Sequence, residues 1–309
     1  MALTRRATLA TLLAAPLATQ APAQPAPQPA PIPVVASFSI LADMVQRIGE
    51  TRVTLRALAG PNQDLHGFEP RPSDLQAVAQ AGVMVINGLG LEGWSERIAK
   101  TAGFKGVAVV ATRGVKALMT GNKHGPGHGH SHAHGSFDPH AWQDVANARL
   151  YVANIRDGLT AADPARAAAH TAAAARYTAE LDALDAEIRA LFAPIPRQRR
   201  RVVTSHEAFA YFADAYGVDM LAVSGPWRDA EPSARELAAL TTQVKRQNIR
   251  ALFVDNAGTG AGLRALASET GIAIGGRLYA DALSEPNGPA GTYIAMMRHN
   301  ATTIADALK

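Results

Sequence analysis

Two stretches of this chain repeat one another at a constant offset of 168 residues, and that register narrows the available folds more than any other feature. Val34-Val35-Ala36-Ser37-Phe38, followed by a helical run to Gly49, parallels Val202-Val203-Thr204-Ser205-His206, followed by a helical run to Gly217. Val83-Met84-Val85-Ile86 stands at the same interval before Ala251-Leu252-Phe253-Val254. Each half therefore begins strand, helix, strand, helix, strand, the alternation of a parallel sheet covered by helices.

Between the halves lies one long helical signal. Asp163 is placed as an N-cap with Pro164 at the first helical position, and an Ala-rich stretch runs to about Phe192, where Pro194 and Pro196 stop it. Close to thirty residues at 1.5 Å each gives a rod of roughly 40 Å, the span of two small lobes laid end to end. The expected fold is α/β: two pseudo-symmetric parallel-sheet lobes, residues 34–160 and 194–309, joined by one long rigid α-helix over residues 161–193.

The amino-terminal residues 1–23 read as a signal peptide. Arg5 and Arg6 form its positive region, Ala7 to Leu17 its apolar region, and Ala21-Pro22-Ala23 the small residues of a cleavage site near Ala23. Residues 24–33 lie in a run with six prolines from Pro22 to Pro33, the composition of an extended tether. A soluble periplasmic protein is expected. The 309 residues include no cysteine, which excludes disulfides, thiolate metal sites, a cysteine nucleophile and a lipid carried on cysteine. Any metal must be held by nitrogen and oxygen. Lys and Arg number 30 against 26 Asp and Glu, a net charge of +4 that offers no electrostatic case for nucleic acid.

Histidine, by contrast, is concentrated. Five of the ten histidines, His124, His128, His130, His132 and His134, crowd the segment 121–135, GNKHGPGHGHSHAHG, which cannot build a core and is expected to be a flexible loop. Neutral imidazoles at alternating positions bind borderline divalent metals, so an auxiliary low-affinity metal role is assigned to them. His170 and His299 sit in helical runs and are read as ordinary helix residues. His66 in DLHGFEP, His140 in FDPHAW and His206 in TSHEAF each stand in a loop or at a strand end, where parallel α/β sheets gather ligands. Asp281 in LYADALSEP follows a strand in the same way and is the candidate fourth ligand, with Asp255 as its competitor. Glu69 and Glu207 are candidates for holding the imidazole tautomers from outside the ligand set.

These motifs together resemble the zinc and manganese solute-binding proteins of bacterial ABC importers. DLHGFEPRPSDL, FDPHAWQDVANA, TSHEAFAYFADAYG and YADALSEPNGPAGTYIAMMRHN look like that family's first to fourth ligand motifs, in order, from about Val34 to Leu308. The resemblance implies metal ligands at His66, His140, His206 and Asp281, two lobes with a rigid linking helix, and no enzymatic activity. It further implies a membrane permease as partner, a periplasmic zinc chaperone as a donor to the His-rich loop, and a monomer. One departure is Gln143-Asp144-Val145, where many relatives read Leu-Asp-Pro. Manganese-type relatives carry a glutamate where this chain has His206. Three imidazoles and one carboxylate suit tetrahedral Zn²⁺, with Mn²⁺ or iron as the alternative cargo. A secreted zinc buffer without a transporter is a further alternative. A zinc hydrolase is disfavoured, because a fourth protein ligand closes the position that catalytic water needs.

Overall fold

Parallel strands need both faces covered, and the short apolar runs read as strands form two sheets of that kind. The computed structural model describes residues 30–63, 65–120, 137–224, 233–256 and 260–309. The expected signal peptide, most of the tether and the histidines of the 121–135 segment lie outside the described residues. The first sheet contains β1 (Ile32–Phe38), β2 (Val53–Ala59), β3 (Val83–Ile86) and β4 (Val107–Val110), in the order β2-β1-β3-β4. The second contains β5 (Arg201–His206), β6 (Asp219–Ser224), β7 (Ala251–Asp255) and β8 (Ile274–Leu278), in the order β6-β5-β7-β8.

The 168-residue offset survives at the level of strand register. Val34 pairs with Val83 and Ala36 with Val85 in the first sheet, while Val202 pairs with Ala251 and Thr204 with Phe253 in the second. All ladders between these eight strands are parallel. Their connections are α1 (Ser39–Gly49), α2 (Pro72–Gln80) and α3 (Ser95–Ala102) in the first half. In the second half they are α6 (Ala210–Tyr216), α7 (Ala234–Arg246) and α8 (Ala261–Thr270), with α9 (Tyr293–Leu308) closing the chain.

The linking helical segment starts at Pro164 as read, with Asp163 before it, though its first turn is of the tighter 3-10 kind. Asp163 ends α4 (Val145–Ala162), and its carboxylate pairs with Arg166 at 3.1 Å and accepts no capping bond. Pro164–Arg166 form a single 3-10 turn that runs into α5 (Ala167–Phe192). The 26 residues of α5 are about 39 Å long at a 1.5 Å rise. This helix is no bare rod. Tyr177, Leu181, Leu184, Ile188 and Phe192 recur at three- and four-residue spacing, are fully buried, and pack α5 on α1, α4 and α9. Burial of such side chains contributes about 1.5–3 kcal/mol each. One apolar core consequently runs from Val34 and Val85 through α5 to Val202, Met296 and Ile304, and residues Pro31–Lys309 form one compact unit. Val203, Leu252 and Leu266 build a smaller cluster on the other face of the second sheet.

Where α1 meets α9, Asp43 accepts the backbone N–H of Tyr293 at 2.9 Å, at the start of α9. Burial raises its pKa to about 6, against the lowering effects of that hydrogen bond and of Arg47. An acid whose folded pKa lies above its unfolded value loses stabilising influence as pH rises between the two, here from about 3.8 to about 6. Asp43→Asn keeps the acceptor and removes the charge. Denaturant unfolding of both proteins from pH 4 to pH 7 is expected to show the variant gaining relative stability across this window. A pH-independent difference contradicts the assignment.

Candidate metal centre

Four side chains from separate loops and strand ends meet at the carboxyl ends of the two sheets. His66 lies in the turn after β2, His140 in the segment before α4, His206 at the last position of β5, and Asp281 three residues beyond β8. Residues that leave a parallel sheet at its carboxyl edge face the same crevice. One ligand atom from each of the four lies within 4.8 Å of the others. The Asp281 carboxylate is 3.2 Å from His206 Nε2, 3.3 Å from His140 Nε2 and 3.7 Å from His66 Nε2. The Nε2 atoms of His66 and His140 are 3.4 Å apart. All four side chains are at most 5% exposed.

Two further carboxylates orient the rings. Asp138 Oδ1 accepts from both the backbone N–H of His140, at 2.9 Å, and its Nδ1, at 2.7 Å, a turn closed across Pro139. Asp255, at the end of β7, accepts from His206 Nδ1 at 2.6 Å. Both interactions leave Nε2 facing the cluster and fix the tautomer a metal needs. The orienting role assigned from sequence to Glu69 and Glu207 falls, for these two rings, on Asp138 and Asp255. Glu69 is exposed, and the Glu207 backbone N–H donates to Ser224. Asp255 is accordingly a support for His206, and Asp281 takes the place beside the three Nε2 atoms. The signals for these supports were the aspartate two positions before His140 and the strand-end position of Asp255.

The first-half support continues inward. Asn87 Nδ2 donates to the carbonyl of Pro139 at 2.9 Å, and Tyr151 donates to Asn87 Oδ1. Buried Glu92 accepts from Ser37 Oγ at 2.7 Å and from the backbone N–H groups of Asn87 and Gly88 at 2.7 and 3.0 Å. Gly88 reaches this position with φ +91°, and a Cβ there would lie 2.6 Å from Val110 Cγ1. Of the remaining histidines described, His170 is buried in α5 and His299 lies in α9, where its Nε2 meets the carbonyl of Arg277 at 2.9 Å. Neither joins the cluster.

Residues 34–307 match the family described as zinc-uptake complex component A, periplasmic. This chain belongs to that family. Members are substrate-binding proteins of metal ABC importers, which work with a membrane permease and its ATPase and are not enzymes. The manganese-binding lipoprotein MntA of Halalkalibacterium halodurans is 32% identical over 277 residues, 90% of this chain and 88% of the relative. The iron-binding protein YfeA of Yersinia pestis is 30% identical over 273 residues, 88% of this chain and 85% of its own. Among solved structures, the periplasmic zinc binding protein TroA from Treponema pallidum superposes with a TM-score of 0.81 at 28% identity, covering 90% of this chain and 99% of that one. Relatives named as lipoproteins stand against the expectation of an unlipidated chain. Among the described residues no helix is long and apolar enough to cross a membrane.

For this member of the zinc-uptake component A family, the electrostatics couple metal to protons. Burial pushes the His140 imidazolium down, but the carboxylates of Asp138 and Asp281 outweigh it and raise the pKa to about 9. His206 is likewise raised, burial being outweighed by Asp281 and Asp255. Asp281 is held well below the usual carboxylate range, because His206 and His140 overcome the opposing effect of burial. A metal must displace protons from these rings. Affinity should therefore climb with pH through neutrality toward about pH 9, beyond the ordinary histidine range near 6.5. Calorimetry at pH 7 in buffers of different ionisation enthalpy should record between about one and two protons released per metal. Binding without proton release contradicts this electrostatic picture.

Proposed function

We propose that the chain is the periplasmic zinc carrier of an ABC importer, holding Zn²⁺ through His66, His140, His206 and Asp281 and delivering it to the permease. The observation that carries the reading is the donor set, three imidazoles to one carboxylate. Such an N3O set matches the four-coordinate preference of zinc, whereas manganese favours more oxygens and a larger coordination number. Vertices of a tetrahedron with zinc bonds of about 2.0–2.1 Å lie roughly 3.3 Å apart. Four of the donor separations, 3.2, 3.3, 3.4 and 3.7 Å with the Asp281 contacts divided between its two oxygens, are near this size, and the whole set stays within 4.8 Å. A second reading, Mn²⁺ or iron as cargo, draws on relatives named as manganese- and iron-binding. Competition between Zn²⁺ and Mn²⁺ for metal-free protein separates the two. The unmodified chain is expected to retain zinc, His206→Glu to shift retention toward manganese, and Asp281→Ala to weaken both. Equal retention of the two metals by the unmodified chain would sink the zinc reading.

The five histidines of the 121–135 segment are proposed to collect zinc at low affinity, directly or from a periplasmic chaperone, and to pass it to the cleft. Support comes from the flanks of that segment. Met119 and Phe137 pair as an antiparallel bridge, and the Asp138 N–H donates to Leu118 at 2.8 Å, immediately before the turn that presents His140. Removal of residues 121–135 is expected to slow loading from dilute zinc while leaving equilibrium affinity nearly unchanged. Loss of high-affinity binding on removal would instead make these histidines part of the principal site.

A further inference from the structure

Asp281 is carried by Tyr279–Leu283, a segment outside every helix and strand, whose backbone is nevertheless held by side chains from both halves. Asn300 bonds the N–H and carbonyl of Tyr279 at 2.9 and 2.7 Å. Asn256 accepts from the N–H of Ala280 at 3.3 Å and donates to the carbonyl of Ala282 at 3.2 Å. From the first half, Ser39 Oγ accepts the N–H of Leu283 at 2.9 Å.

The Ala280 carbonyl belongs to the peptide that leads into Asp281, and it accepts two donors: Trp142 Nε1 at 2.8 Å and Gln143 Nε2 at 2.9 Å. Those donors fill both lone-pair positions of the oxygen and fix the plane of the peptide. They stand two and three residues after His140, so one metal-facing segment holds the other. Trp142 has other work: its ring packs at a tilt on Phe38 with centroids 5.0 Å apart, and its backbone carbonyl accepts the Tyr293 hydroxyl at 2.7 Å. Gln143 is fully buried, and its Oε1 meets no hydrogen-bond partner among the described residues. A buried amide with one end unsatisfied is unfavourable for packing alone, where an apolar side chain of similar length would serve. Among the described residues its one side-chain hydrogen bond is to Ala280.

We propose that Gln143 is a positioning residue for the metal site: through the Ala280 carbonyl it holds Asp281 against the three imidazoles and sets how long the metal stays bound. The proposal rests on the four-residue reading of the site and not on which metal fills it. Asp281 is the common neighbour of all three Nε2 atoms, so its departure opens the ligand shell on every side. Loss of one bond on its peptide lowers the resistance to that departure. Capture, governed by access to the crevice, changes little.

The test is stopped-flow release of Zn²⁺ into a chelator from the intact protein, Gln143→Met, Asp281→Ala and the double variant. Gln143→Met is expected to release zinc about tenfold faster with an unchanged association rate. In the Asp281→Ala background the same substitution should add nothing, an outcome that a general loosening of the core would not give. Unchanged release from Gln143→Met, or equal acceleration in both backgrounds, overturns the proposal. Asp281→Ala that binds and releases zinc like the unmodified protein overturns the site reading itself. If Gln143→Met folds poorly, Trp142→Phe removes the other N–H on the same carbonyl and must show the same dependence on Asp281.

Discussion

A carboxylate that is 1% exposed and surrounded by three imidazoles is the constraint on which the rest of this structure depends. An anion removed from water is tolerated only with cations or donors around it. Asp281 finds these at His140 and His206, and each of those rings is in turn held by its own aspartate. Three carboxylates thus enclose the imidazole nitrogens. The arrangement requires positive charge at its centre, whether brought by protons on the rings or by a divalent metal. Asp281 and His206 reach this point from the second half and His66 and His140 from the first, across sheets that share one apolar core with α5.

The repeat made the sheets legible in the sequence. A fixed 168-residue offset correctly paired β1 with β5 and β3 with β7, because a central parallel strand reads as an unbroken apolar run whatever surrounds it. The offset even places Asn87 opposite Asp255, each one position beyond or at the end of the third strand of its half, and each supporting a ligand segment. The way α5 is used was less legible. Its alanines gave the length, but the stripe from Tyr177 to Phe192 shows that it is a wall of the core, which helical propensity alone does not reveal. Asp163 holds the N-cap position with Pro164 after it, as the sequence reads, but Arg166 captures its carboxylate and no side-chain capping bond forms, since capping depends on side-chain direction.

At the site, the residues facing the centre were easier to read than those behind them. His66, His140, His206 and Asp281 stand out as polar residues where strands end, a position with chemical meaning in this class of sheet. Their supports depend on which loop lies beside which. Asp138 reaches His140 through a turn across Pro139, and Asp255 reaches His206 across 49 residues of sequence. Nearness along the chain marks Asp138, two residues before His140, but not Asp255, which the pairing of β5 with β7 brings beside His206. Gln143 and Asn256 leave no periodic signal at all, since they serve backbone carbonyls and an amide of a segment that only the fold brings close.

Charge balance bears on how filled and empty carriers differ. With His140 and His206 both shifted toward the protonated form, the metal-free cluster holds up to two positive charges where the loaded one holds a dication. Exchange of protons for metal therefore lessens the change in charge that loading brings. Tyr279–Leu283, which carries Asp281 into the cluster and is bonded to both halves through its backbone, is the segment most directly coupled to that exchange.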